Sequence, residues 1–150
     1  MKFVRYGLIM LIGACALLAH GAQAATTVKV ALEDSTTSPA VKSMAIKPDR
    51  TSAPAGRVTF QVANRSKSKV HEMLIVKTDQ PAAALPYDAR EEEVEEDKIK
   101  SLGEVSELQP GKSGSLTLDL KPGSYLLLCN QPGHMRHGMW ARFEVTPRQG

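Results

Sequence analysis

Eleven consecutive residues near the C-terminal end, Cys129-Asn130-Gln131-Pro132-Gly133-His134-Met135-Arg136-His137-Gly138-Met139, bring together a thiol, two imidazoles and two thioethers. Thiolate, thioether and imidazole are donors that suit copper, whereas harder cations prefer carboxylate and carbonyl oxygen. Cys129, His134 and Met139 follow one another as C-x4-H-x4-M. Two imidazoles and one thiolate in a plane, with a distant thioether on the axis, make a centre suited to passing single electrons. Such a plane needs a second imidazole. The chain has four histidines; His20 belongs to the leading segment and His137 shares the loop, which leaves His71, at the head of the apolar run Met73-Leu74-Ile75-Val76. The expected metal ligands are therefore His71, Cys129, His134 and Met139 around one copper ion, Cu(I) or Cu(II). Met135 and His137 are read as lining the rim. Taken singly, each ligand has a plainer reading, since a buried cysteine behaves as a small hydrophobe. Their joint order and spacing favour the metal.

Elements on either side must hold this loop. Tyr125-Leu126-Leu127-Leu128 runs into Cys129, and Trp140 to Val145 leaves Met139, so the loop is expected to join two neighbouring strands. Thr27–Leu32, Arg57–Val62 and Leu116–Leu120 alternate polar and apolar residues as half-buried strands do. Ser43–Ile46 is a shorter run, and Val70–Lys77 is continuously apolar, as a central strand would be. Seven such runs separated by Gly, Pro, Asn and Ser predict an all-β sandwich or barrel of antiparallel sheets. Residues 79–109 break the rhythm. Asp88 to Lys100 is heavily charged, with Val94 and Ile99 its only apolar residues. That is too little apolar face for a core helix, and the stretch is read as an exposed helix or a mobile excursion.

The first residues read as an address. Lys2 and Arg5 precede an apolar run over 7–19, and Ala22-Gln23-Ala24 has the small-x-small pattern of a signal-peptidase site. Residues 1–24 are expected to be a secretory signal and 25–150 the domain, exported to the periplasm or beyond. The apolar run is shorter than the ~20 residues of a membrane span, so no span is expected in the mature chain. A lipoprotein-type box at Ile12-Gly13-Ala14-Cys15 is the weaker alternative and would tether the domain through Cys15. Without the leader, Cys129 is the one cysteine. In an oxidising compartment a lone thiol calls for a role, and metal ligation supplies one.

Removing Lys2 and Arg5 leaves 17 Lys and Arg against 16 Asp and Glu, and only 5% of the chain is aromatic. A nearly neutral, aromatic-poor domain lacks the basic face and stacking platforms of a nucleic-acid binder.

The mature chain resembles the cupredoxins of plastocyanin/azurin type, with a ligand-loop spacing similar to the rusticyanin-like and sulfocyanin-like members. The resemblance is carried by Met44-Ala45-Ile46, Ala55 to Asn64, Val70-His71-Glu72, Leu108-Gln109-Pro110-Gly111 and Lys121-Pro122-Gly123-Ser124-Tyr125 leading into the Cys129 loop. It implies a two-sheet Greek-key β-sandwich with copper near one end, His71, Cys129 and His134 equatorial and Met139 axial. Glu72 departs from the pattern, because Asn or Ser is frequent after the first histidine and helps pin the ligand loops together. Electron transfer is the function expected, with a redox protein docking near His134 and Pro132, Met135 and Trp140 as an apolar rim. Copper buffering or delivery is the alternative, to which Met135, His137 and Met73 would be suited. A metal-free interaction module is a third class. Catalysis is not expected, because four protein ligands leave no open position for substrate, and the protein is expected to be a monomer.

Overall fold

The computed structural model describes residues 24–34 and 43–148. The expected secretory signal, with Cys15, lies outside these residues apart from Ala24. Two β-sheets face each other. One holds β1 (Thr26–Asp34), β2 (Met44–Pro48), β4 (Gly56–Asn64) and β9 (Ser113–Leu120), in the order β2-β1-β4-β9. The other holds β3 (Ser52–Pro54), β5 (His71–Lys77), β8 (Ser101–Leu108), β10 (Gly123–Leu128) and β11 (Trp140–Thr146), in the order β3-β11-β10-β5-β8. The pairings β1–β4 and β3–β11 are parallel and the others antiparallel. This is the all-β two-sheet sandwich that the resemblance implied, but its sheets are not wholly antiparallel as the strand pattern predicted, since β1 and β3 each lie parallel to a strand distant in sequence.

Alternation explains the first sheet. In β4, Val58, Phe60 and Val62 turn inward while Arg57 and Gln61 stay in solvent, the period-2 pattern of a strand with one wet face. Val28, Val30 and Leu32 of β1 do the same. Across the interior, Phe60 meets Phe143 of β11 edge to face, with ring centroids 5.4 Å apart. Tyr125 closes the turn before β10 by donating from its hydroxyl to the Lys121 carbonyl at 2.6 Å.

In the second sheet, β5 and β10 are buried on both faces, hence their unbroken apolar sequences. The cover on the outer face is residues 79–100. This segment is not an α-helix. It is a small ribbon, β6 (Tyr87–Asp88) paired with β7 (Glu93–Val94), flanked by single 3-10 turns at Ala82–Ala84 and Glu96–Lys98. Its few apolar side chains, Ala82, Leu85 and Val94, pack with Tyr87 and Ile99 onto Leu74, Val76, Leu126, Leu128 and Met135. The rest of the 79–109 stretch includes β8, an edge strand that the sequence pattern did not reveal. Its apolar residues Leu102, Val105 and Leu108 recur every third position, and bulges shift its register against β5 between His71 and Met73 and between Leu74 and Val76. Bulges break the alternation by which strands are read.

Candidate metal centre

The site lies at one pole of the sandwich, where β10 ends and β5 begins. Leu128 pairs with Leu74, so Cys129 emerges beside the head of β5, which carries His71. The loop from Cys129 to Met139 is closed by its own backbone: the Cys129 amide donates to the Met139 carbonyl (3.0 Å) and the Met139 amide to the His134 carbonyl (3.1 Å). Within it, Gln131 to His134 forms a turn in which the His134 amide reaches the Gln131 carbonyl at 2.9 Å. Gly133 has φ +77°. Proline second and glycine third, with positive φ at the glycine, is the signature of a type II turn. Pro132-Gly133 thus turns the chain so that His134 faces back toward Cys129.

Three of the four expected ligands come together by their donor atoms. His71 Nδ1 is 3.2 Å from His134 Nδ1 and 4.0 Å from Cys129 Sγ, and Cys129 Sγ is 3.3 Å from His134 Nδ1. No other group of this kind occurs among the described residues. A point equidistant from these three atoms lies roughly 2.1 Å from each, comparable to the ~2.0–2.3 Å bonds that nitrogen and sulfur make to a first-row ion such as zinc. The donor set is therefore the right size for one ion, and its softness suits copper. Met139 is fully buried in the same core cluster as Cys129, and its backbone bonds to Cys129 and His134 hold it at this pole.

Burial sets the protonation of these groups. It pushes the Cys129 thiol up to about 11, against the pull of the backbone amides of Glu72 and Gln131. Burial, then the neighbouring His71, lowers His134 to about 4. His71 is likewise lowered by burial, opposed by Asp34. Both imidazoles are thus neutral at pH 7, the form that binds metal, while the thiol must give up a proton to do so.

Sequence reasoning missed three residues placed to position the expected ligands. Asn64, 1% exposed, donates through Nδ2 to the carbonyls of Lys69 (2.8 Å) and Leu108 (2.7 Å) and accepts from the Ser66 amide (2.9 Å). It fixes the segment that delivers His71. Asn130 donates to the Val94 carbonyl (3.0 Å) and Glu96 Oε1 (2.9 Å) and accepts from the Val94 amide (2.7 Å), binding the charged ribbon to the ligand loop. Asp34, at the end of β1, puts Oδ1 3.8 Å from His71 Nε2. An Asn at the close of a strand was the only available signal. The departure at Glu72 is also resolved: its backbone amide, not its side chain, points at Cys129 Sγ (3.4 Å). The buried Glu72 carboxyl is pushed up to about 7, chiefly by burial and further by Glu104 and Glu96, while Gln131 and the Asn130 backbone counter it.

The expected rim needs one correction. Pro132 is exposed and Trp140 is 37% exposed, but Met135 is 6% exposed and belongs to the packing under the ribbon. The ribbon covers Met135, an arrangement the loop sequence did not indicate. His137 is exposed.

A two-sheet sandwich with a thiol and two imidazoles converging at one pole defines a small all-β metal-binding protein. Residues 8–140 match the cupredoxin-like domain, and the chain belongs to that family. No curated protein matches it in sequence. Among solved structures, it is similar to reduced auracyanin from Roseiflexus castenholzii, at 25% identity over 83% of this chain and 100% of that one, with a TM-score of 0.60. Auracyanin B shares 29% identity over 82% of this chain and 90% of its own, with a TM-score of 0.57. The copper protein rusticyanin shares 22% identity over 82% and 80% of the two chains, with a TM-score of 0.57, a likeness of fold.

Proposed function

We propose that this chain is an exported one-electron carrier in which His71, Cys129, His134 and Met139 would hold a single copper ion. The observation that carries the reading is the triangle of Nδ1, Sγ and Nδ1 atoms at 3.2, 3.3 and 4.0 Å. Copper supplies the reversible exchange of one electron. The protein's residues supply the rest: neutral imidazoles, a thiol that gives up its proton on loading, a sulfur bonded by the Glu72 amide, and a loop fastened at both ends. His71 is fully buried whereas His134 is partly exposed, so His134 is the edge through which a redox partner would exchange electrons, beside Pro132 and Trp140. Membership of the cupredoxin-like family supports this reading.

Copper buffering or delivery is less well supported. A transfer surface for Cu(I) would use accessible thioethers, yet Met73 is fully buried and Met135 nearly so. Nor does the site favour catalysis, since the four protein ligands would fill the coordination sphere. The leader supports export, with the mature domain starting at Ala25, and among the described residues no helix is long and apolar enough to cross a membrane.

The deciding experiment is the optical and electron paramagnetic resonance spectrum of the Cu(II)-loaded mature chain beside Cys129→Ser. A strong thiolate-to-copper band, absent in the variant, is expected. A chain that stays colourless with Cu(II) overturns the proposal.

A further inference from the structure

We propose that the Asp34 carboxylate is the positioning partner of the His71 ring, accepting the Nε2 proton, keeping Nδ1 turned toward Cys129 and His134, and tuning the copper centre by its charge. This rests on the copper reading above. His71 presents Nδ1 to the other donors, so the single proton of its neutral ring belongs on Nε2. That nitrogen is buried, as are both Asp34 oxygens, and none of the three has a hydrogen-bond partner among the described residues. The two side chains are 0% and 3% exposed, and Nε2 and Oδ1 are 3.8 Å apart. A buried polar group left unpaired is destabilising, and more so when charged. Here a donor and an acceptor in that condition face each other, and a shift of under ~1 Å closes the bond.

The chemistry follows from the placement. A histidine that holds a metal characteristically gives its other N–H to a carboxylate or carbonyl, which fixes ring and tautomer and raises the basicity of the ligating nitrogen. Here β1 brings the carboxylate from a different sheet than His71. Its negative charge, held in a dry pole, stabilises Cu(II) more than Cu(I), because attraction scales with the ion's charge. Asp34 therefore lowers the reduction potential as well as orienting His71.

The test uses the mature chain and its Asp34→Asn and Asp34→Leu variants. Asn keeps the shape and an acceptor but removes the charge. It is expected to retain the thiolate-to-copper band and raise the potential, each tenfold selective loss of Cu(II) affinity appearing as about 59 mV. Leu removes the acceptor and is expected to weaken copper binding by about ten- to hundredfold. Nitrogen-15 spectra of the wild-type Cu(I) form should place the His71 proton on Nε2, with a resonance that moves in Asp34→Asn while those of His134 stay. A wild-type His71 proton on Nδ1 overturns the proposal without recourse to a variant. A coloured wild type whose potential and His71 resonance are unchanged in Asp34→Asn overturns the role of Asp34 and leaves the copper reading standing. A wild type that takes up no copper overturns both.

Discussion

Glu72 sits between two ligands' neighbours in a setting that disfavours its charge. Glu72 is 8% exposed, and its carboxyl is raised from 4.5 to about 7. In the unfolded chain the group ionises near 4.5, whereas in the folded protein it stays protonated to about 7, so the native state binds the extra proton across that window. Stability contributed by Glu72 is present below the unfolded value and is lost as pH rises through 4.5 to 7. The lowered histidines act in the opposite sense, costing stability as pH falls from 6.5 toward about 4 for His134. Comparing wild type with Glu72→Gln in the metal-free protein cancels the histidines. The wild type should lose roughly 3 kcal/mol relative to the variant between pH 4.5 and 7, at 1.36 kcal/mol per pKa unit, and level off above. Urea unfolding across pH 4 to 8 measures this, and a pH-independent difference would contradict it. The Cys129 thiol, raised to about 11, carries a second expectation: loading copper at pH 7 releases about one proton per ion, readable by calorimetry in buffers of differing ionisation heat. The cluster of His71, Cys129 and His134 was legible from sequence because thiol and imidazole side chains stand out by their chemistry. Asp34 was not, because its role arises only where β1 ends near β5, 37 positions away in the chain.

The elements around the loop behave as two separate fastenings. Asn64 ties the β4–β5 connection to Leu108 at the end of β8, and replacing it with Ala leaves the buried Leu108 carbonyl and the part-buried Lys69 carbonyl without this partner. A loss of about 2–4 kcal/mol is expected from denaturant melts. Asn130 ties the ribbon β6–β7 to the metal loop, where the Gly133 amide adds a bond to the Glu92 carbonyl at 2.8 Å. Asn130→Ala should therefore loosen the ribbon while the sandwich stays folded. Trypsin cleavage at Arg90, Lys98 and Lys100 should accelerate well before global unfolding, and unchanged cleavage would mean that the ribbon is held elsewhere. Elements with clean periodicity were legible: β1, β4 and β9 alternate, and β5 and β10 are continuous. The ribbon was not, since its charged residues face solvent while only a few apolar ones anchor it. Nor was β3, whose Ser52-Ala53-Pro54 is too short to show a period.

At the scale of the molecule, one core joins the sheets, and Phe60 with Phe143 spans it. Phe60→Ala should cost about 3–5 kcal/mol, measured by denaturant melts, with the metal-site spectrum largely intact because the ring lies in the middle of the sandwich. An all-β sandwich or barrel was readable from the alternating runs and its two-sheet form from the family resemblance, while strand order was not, because the parallel pairs β1–β4 and β3–β11 join segments whose sequences carry no mark of their partner. That order has a practical outcome. Strand β1 runs toward the metal pole and β11 runs away from it, so Thr26 and Thr146 both lie at the opposite end, roughly 25 Å from the ligands by the rise of a strand of this length. A mature chain grafted to an electrode at residue 26 or 146 would hold its copper on the far side of the film, facing the liquid. Current to the electrode should then be slow while a dissolved mediator still reacts freely. Moving the graft to residue 132, beside His134, should reverse that preference.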